Sequence, residues 1–115
     1  MIKKHYTDVE EEIVTKANST KTTIRWLITD KDGSNRFSTR RFEIQPGGQV
    51  GIHNHAEDHH VYILQGEGEF IDDKGTTLKA KKGDVVYIPP NNPHGILNNG
   101  SESLIFICII PYLHT

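Results

Sequence analysis

Apolar and polar residues alternate along most of this chain in short runs with a period of two, and turn signals separate the runs, so the pattern predicts β-strands. Residues 22–29 set Ile24, Trp26 and Ile28 against Thr23, Arg25 and Leu27, and the loop Lys31-Asp32-Gly33-Ser34-Asn35 follows. Residues 37–44 read as a second strand. Pro46-Gly47-Gly48 predicts a turn, after which Val50 and Ile52 interleave with Gly51, His53 and His55. Residues 61–64 continue as a strand ending at Gly66. Residues 69–71 and 76–79, joined by Asp72-Asp73-Lys74-Gly75, predict a hairpin. A strand over 85–88 is stopped by Pro89-Pro90. Residues 96–97 and 104–110, joined by Asn98-Asn99-Gly100-Ser101, predict a final hairpin whose last strand is apolar on both faces. No strong helical period follows the N-terminal segment. The fold class is therefore all-β, and many short strands between turns imply a closed barrel or jelly-roll sandwich.

Composition narrows the class. At 115 residues the chain suits one domain, 1–115, able to bury a core without disulfides. With 35% hydrophobic and 24% charged residues it has the make-up of a soluble globular protein, and no apolar run reaches bilayer length. The basic start runs into Asp8 and Glu10-Glu11-Glu12 with no apolar stretch between, which does not read as an export signal. A single cysteine, Cys108, excludes an internal disulfide and a Cys-rich metal site, so the expected compartment is the cytoplasm. A formal charge of −2, with only short basic runs, argues against a nucleic-acid partner, and no membrane partner is expected.

The candidate chemistry lies in the histidines. Five of seven are His53, His55, His59, His60 and His94. His53 and His55, two apart, project from one face of an extended strand and can converge on one ion. His59 follows after a short turn, and His94 can close the site from a separate segment. Strand parity places His59 with Val61 and Ile63 and sends His60 to the other face, as a surface or supporting residue. Glu57 and Asp58 are alternative ligands, read instead as solvated turn charges.

These residues resemble the two motifs of the cupin superfamily. Gly47, His53, His55 and Gly66 keep the spacing of the first motif, with His59 where it has a glutamate. Gly83, Pro89, His94 and Asn98 match the second, and Asn91, a residue tolerant of positive φ, replaces its inner glycine. The motif stretches are 47–66 and 83–98. The histidine at the glutamate position is similar to small, single-domain manganese-binding cupins with four histidine ligands. Residues 40–48 and 106–111 are similar to that group as well. The resemblance implies a single-domain cupin β-barrel (a double-stranded β-helix, or jelly roll) and usually a homodimer. It also implies one divalent ion held by His53, His55, His59 and His94, manganese first, with Fe, Zn, Ni, Cu or Co tolerated by imidazole ligands.

Four neutral imidazoles leave such an ion its full charge, and an octahedral ion keeps two positions for ligands. The function expected is a Mn- or Fe-type dioxygenase or peroxide-using oxidase acting on a small organic substrate. The alternatives are a metal-dependent isomerase or lyase on a sugar or keto acid, and a cupin that binds a small ligand without turnover. Metal occupancy is expected to fall below about pH 6, near the free histidine pKa of roughly 6.5. Phe106 and Cys108 are read as possible pocket lining, with a plain core position the alternative for Cys108. Arg25, Arg40 and Arg41 are read as charge on the barrel exterior, with contact to an acidic substrate as the alternative. Trp26, Phe37, Phe42, Tyr62 and Tyr87 are read as core or dimer packing, and His5 and His114 as irrelevant.

Overall fold

The structure, a computed structural model, describes residues 1–113; His114 lies outside them. Nine strands form a nearly closed antiparallel barrel: β1 (Glu12–Ile13), β2 (Thr20–Ile28), β3 (Phe37–His53), β4 (His59–Gln65), β5 (Glu67–Ile71), β6 (Thr77–Lys81), β7 (Val85–Ile88), β8 (His94–Leu97) and β9 (Leu104–Pro111). Hydrogen-bonded neighbours run β6-β5-β8-β3-β9-β4-β7, with β2 also on β3 and β1 on β2. The helical content among the described residues is three single 3-10 turns, Tyr6–Asp8, Lys16–Asn18 and Asp30–Asp32.

The expected turn at Pro46-Gly47-Gly48 is not a turn. β3 runs through it as one strand of 17 residues. Five steps along β3, from Ile44 to Gln49, are matched by two along β2, from Thr22 to Thr20, so the extra backbone is taken up as a bulge with Gly47 at φ +82°. The first half of β3 pairs with β9 and the second half with β8, so this strand joins the two sides of the barrel.

A second irregularity decides the site. Val50 pairs with Ile96 and His53 with His94, three steps along β3 against two along β8. That bulge reverses side-chain parity, so His53 turns to the same interior as Val50 instead of the opposite face. Gly51 within it has no alternative, because a Cβ there would overlap the Ala17 carbonyl of the second 3-10 turn.

Parity holds in β4. His59, Val61 and Ile63 are buried while His60, Tyr62 and Leu64 are exposed. In β9, Leu104, Ile105, Phe106 and Cys108 are buried, and Phe42 stacks on Phe106 with ring centroids 5.1 Å apart. Of the aromatics read as packing, Phe42 is core, whereas Trp26, Phe37, Tyr62 and Tyr87 keep exposed surface.

Candidate metal centre and cavity

The bulge in β3, the loop after it, the start of β4 and the start of β8 deliver His53, His55, His59 and His94 to one end of the barrel interior. One ring nitrogen each of His53, His55 and His94 lies within 4.8 Å of the others. His59 joins through its Nε2, 2.7 Å from His55 Nε2. The ring centroids of His53 and His94 are 4.5 Å apart, and those of His59 and His94 5.4 Å apart. His60 is outside, against Tyr87.

Three of the rings are held for ligation. His53 Nδ1 donates to the Gly51 carbonyl at 2.9 Å, His55 Nδ1 to Glu57 at 2.8 Å and His94 Nδ1 to Asn92 at 2.7 Å. A carbonyl only accepts, so each proton sits on Nδ1 and each Nε2 carries a lone pair toward the interior. Such outer bonds fix both tautomer and ring orientation.

His59 differs. His55 Nε2 is an acceptor, so His59 Nε2 must donate to it, which leaves His59 Nδ1 as an acceptor facing Cys108 Sγ at 2.8 Å and Arg40 Nη2 at 3.2 Å. In this state His59 ties the histidine cluster to Arg40, and it would bind an ion only by giving up the Nε2 proton.

Burial favours the neutral form of His55, His59 and His94. Desolvation, reinforced by the Arg40 charge and the neighbouring rings, takes His59 down to about 2. Desolvation takes His94 to about 4, against the raising effect of its Asn92 bond, and lowers His55 as well. Neutral, convergent imidazoles suit a borderline divalent ion such as Mn, Fe, Co, Ni, Cu or Zn. The donor set therefore fits a metal. Glu57 lies at the cavity wall and holds His55 through its backbone carbonyl, and the Asp58 carboxylate accepts from Tyr87 Oη. The alternative carboxylate ligands are thus occupied elsewhere or peripheral.

Next to the cluster is a cavity of about 250 Å³, walled mostly by apolar side chains including Trp26, Phe42, Ile96 and Phe106. Phe106 and Cys108 both line it. Burial pushes the Cys108 thiol up, with Arg40 pulling the other way.

The reading of Arg40 as exterior charge is corrected by the structure. Arg40 is 4% exposed and lines the cavity, with Nη2 donating to Cys108 Sγ at 2.9 Å. The signal was parity: Arg40 alternates with Phe42 and Ile44, all three inward, while Arg41 and Glu43 point away. Arg25 and Arg41 do stay outside the cavity. Arg25 donates to the Val9 carbonyl and pairs with Glu11 at 3.6 Å, and Arg41 stacks over the Tyr6 ring at 4.1 Å.

Asn91 takes φ +61°, the conformation its position in the second motif demands. Asn98 is fully buried and structural. Its Nδ2 donates to the Ile44 and Glu102 carbonyls, and its Oδ1 accepts from Gly100 N–H.

The fold has counterparts among known proteins. A family model described as Cupin_2, a cupin domain, matches residues 40–110. The chain is 38% identical over 71 residues to the "Oxalate-binding protein" of Thermotoga maritima, covering 61% of this chain and 58% of that one. It thus spans less than two thirds of the length of that curated relative. Among solved structures it is similar to the polyketide cyclase RemF of Streptomyces resistomycificus, with 34% identity and a TM-score of 0.90 over 96% of this chain and 79% of that one. It is also similar to a Thermotoga maritima protein described as a predicted oxalate decarboxylase, with 28% identity and a TM-score of 0.83 over 95% and 97% of the two chains.

Proposed function

Because the chain belongs to the cupin domain family, we propose that it is a metal-dependent cupin acting on a small organic molecule inside its barrel, with His53, His55, His59 and His94 holding one divalent ion. The observation that carries this reading is the set of three Nδ1-to-carbonyl bonds, which puts an Nε2 lone pair on each of three rings that converge within 4.8 Å. A fold alone would not support it, since this one hosts many activities. Manganese or iron is the ion proposed, on the resemblance to four-histidine cupins, and a homodimer is proposed on the same ground.

A divalent ion there supplies Lewis acidity toward a substrate oxygen, or redox chemistry toward dioxygen or peroxide if it is Mn or Fe. The chain's own residues do the rest. The three backbone carbonyls orient the imidazoles, Phe42 and Phe106 exclude water from the far wall, and Cys108 and Arg40 fix His59 from behind. Two readings follow. Oxidation of the substrate is supported by the two adjacent positions that an octahedral ion with four histidine ligands would keep open. A carbonyl-polarising reaction without oxygen is supported by the similarity to a polyketide cyclase.

Elemental analysis of untagged protein beside the His53→Ala/His55→Ala double variant tests the common core. Near-stoichiometric metal lost in the variant is the expected result. Absence of metal from both proteins after reconstitution would sink the proposal, leaving ligand binding without turnover. Oxygen uptake with candidate substrates then separates the two chemistries.

A further inference from the structure

Arg40 is the unexplained charge of this interior. A guanidinium cannot shed its proton, and a buried charge normally has a partner of opposite sign. Among the described residues the ion pairs are Lys4 with Asp32 and Arg25 with Glu11; Arg40 has none. Its Nε is buried without any hydrogen-bond partner. The contacts it does have are neutral or aromatic: the Cys108 sulfur, the His59 ring nitrogen, and the Trp26 and Phe42 rings, whose centroids lie 5.4 and 5.0 Å from its central carbon. Register explains its fixed position. Trp26, Arg40, Cys108 and Val61 stand opposite one another across β2, β3, β9 and β4, a row that packs the guanidinium against the cavity. Lys16 lies at the same cavity's exposed edge.

We infer that Arg40 is a built anion subsite, and that the cavity takes a small organic anion: a carboxylate, phenolate or enolate carried on an apolar, ring-sized body. The charge favours the anion, and the walls of Trp26, Phe42, Ile96 and Phe106 favour the apolar body. An ion held by four neutral histidines would bring the interior to three positive charges with no carboxylate ligand. Anion and metal should therefore bind with positive coupling, which is reciprocal. This deepens the proposed function by naming its ligand class, but the Arg40 subsite does not depend on the metal.

Trp26, the single tryptophan, lies on the cavity wall and reports occupancy. Its emission is followed in metal-free and metal-loaded full-length protein during titration with 4-nitrobenzoate and with its neutral analogue 4-nitrobenzamide, at constant ionic strength. The expected result is saturable quenching, with the carboxylate bound roughly tenfold or more tightly than the amide in the metal-free protein and tighter still with metal. Arg40→Gln should bring the two affinities together, Arg40→Lys should keep part of the preference, and Lys16→Gln should leave it. Oxalate, lacking an apolar body, should displace nitrobenzoate from metal-free protein only weakly.

Equal affinities in the wild-type protein, or no saturable quenching by either probe at millimolar concentration, would overturn the inference without any variant having to fold. So would a preference that survives Arg40→Gln and vanishes in Lys16→Gln. Strong displacement by oxalate would overturn the apolar-body assignment. Failure of the metal proposal alone would leave the metal-free preference in place.

Discussion

At the scale of single residues, buried polar groups with complete hydrogen bonding carry much of the specificity. Asn98 closes the β8–β9 turn with three hydrogen bonds and no exposed surface, so Asn98→Ala strands two carbonyls and an N–H. We expect a loss of about 2–4 kcal/mol in urea denaturation. The histidines make stability depend on pH. His94 titrates at about 4 in the barrel and near 6.5 in the unfolded chain, so the unfolded state takes up its proton first as pH falls. The metal-free protein is expected to keep full stability from this group above about pH 6.5, to lose it progressively down to about pH 4, and to lose no more below that. His94→Gln should make that interval shallower in a melting-temperature profile, leaving the slope that the lowered His55 and His59 contribute. For the proposed metal site, the same burial moves the onset of metal loss below the pH 6 expected of free histidines, measurable by dialysis and elemental analysis.

At the scale of elements, the site depends on two bulges in β3. Gly51→Ala would drive its Cβ into the Ala17 carbonyl, so either the Lys16–Asn18 turn lifts off or the bulge straightens. The expected outcome is a loss of about 1–3 kcal/mol together with weaker metal retention, read by denaturation and elemental analysis on one preparation. Much of this region was legible in the sequence. Period-two alternation located the strands, the turn residues separated them, and parity put His59 inward and His60 outward. Bulges were not legible, because they depend on pairing: nothing in Val50-Gly51-Ile52-His53 states that its three steps will oppose two on β8. Pro46-Gly47-Gly48 misled for the same reason, since a glycine with positive φ serves a bulge as well as a turn. Arg40 was legible and passed over, its charge given more weight than its parity.

At the scale of the whole molecule, the outer face of β4, β7 and β9 remains uncovered, with Tyr62, Val85, Tyr87 and Ile109 between 38 and 68% exposed. For the proposed homodimer this face is the natural contact. Val85→Glu with Tyr62→Glu should then halve the mass seen by sedimentation velocity while leaving the circular dichroism unchanged; an unchanged mass would remove the face from consideration. The interior has a different consequence. The groups lining the cavity come from β2, β3, β4, β7, β8, β9 and the segments beside them, and Arg40 meets Cys108 across 68 positions of sequence. No local segment can present the site, so it comes into being only when the barrel closes, late in a folding reaction dominated by distant pairings. A ligand that recognises the finished interior therefore acts on the return journey: metal and organic anion should slow unfolding while leaving the refolding rate nearly untouched.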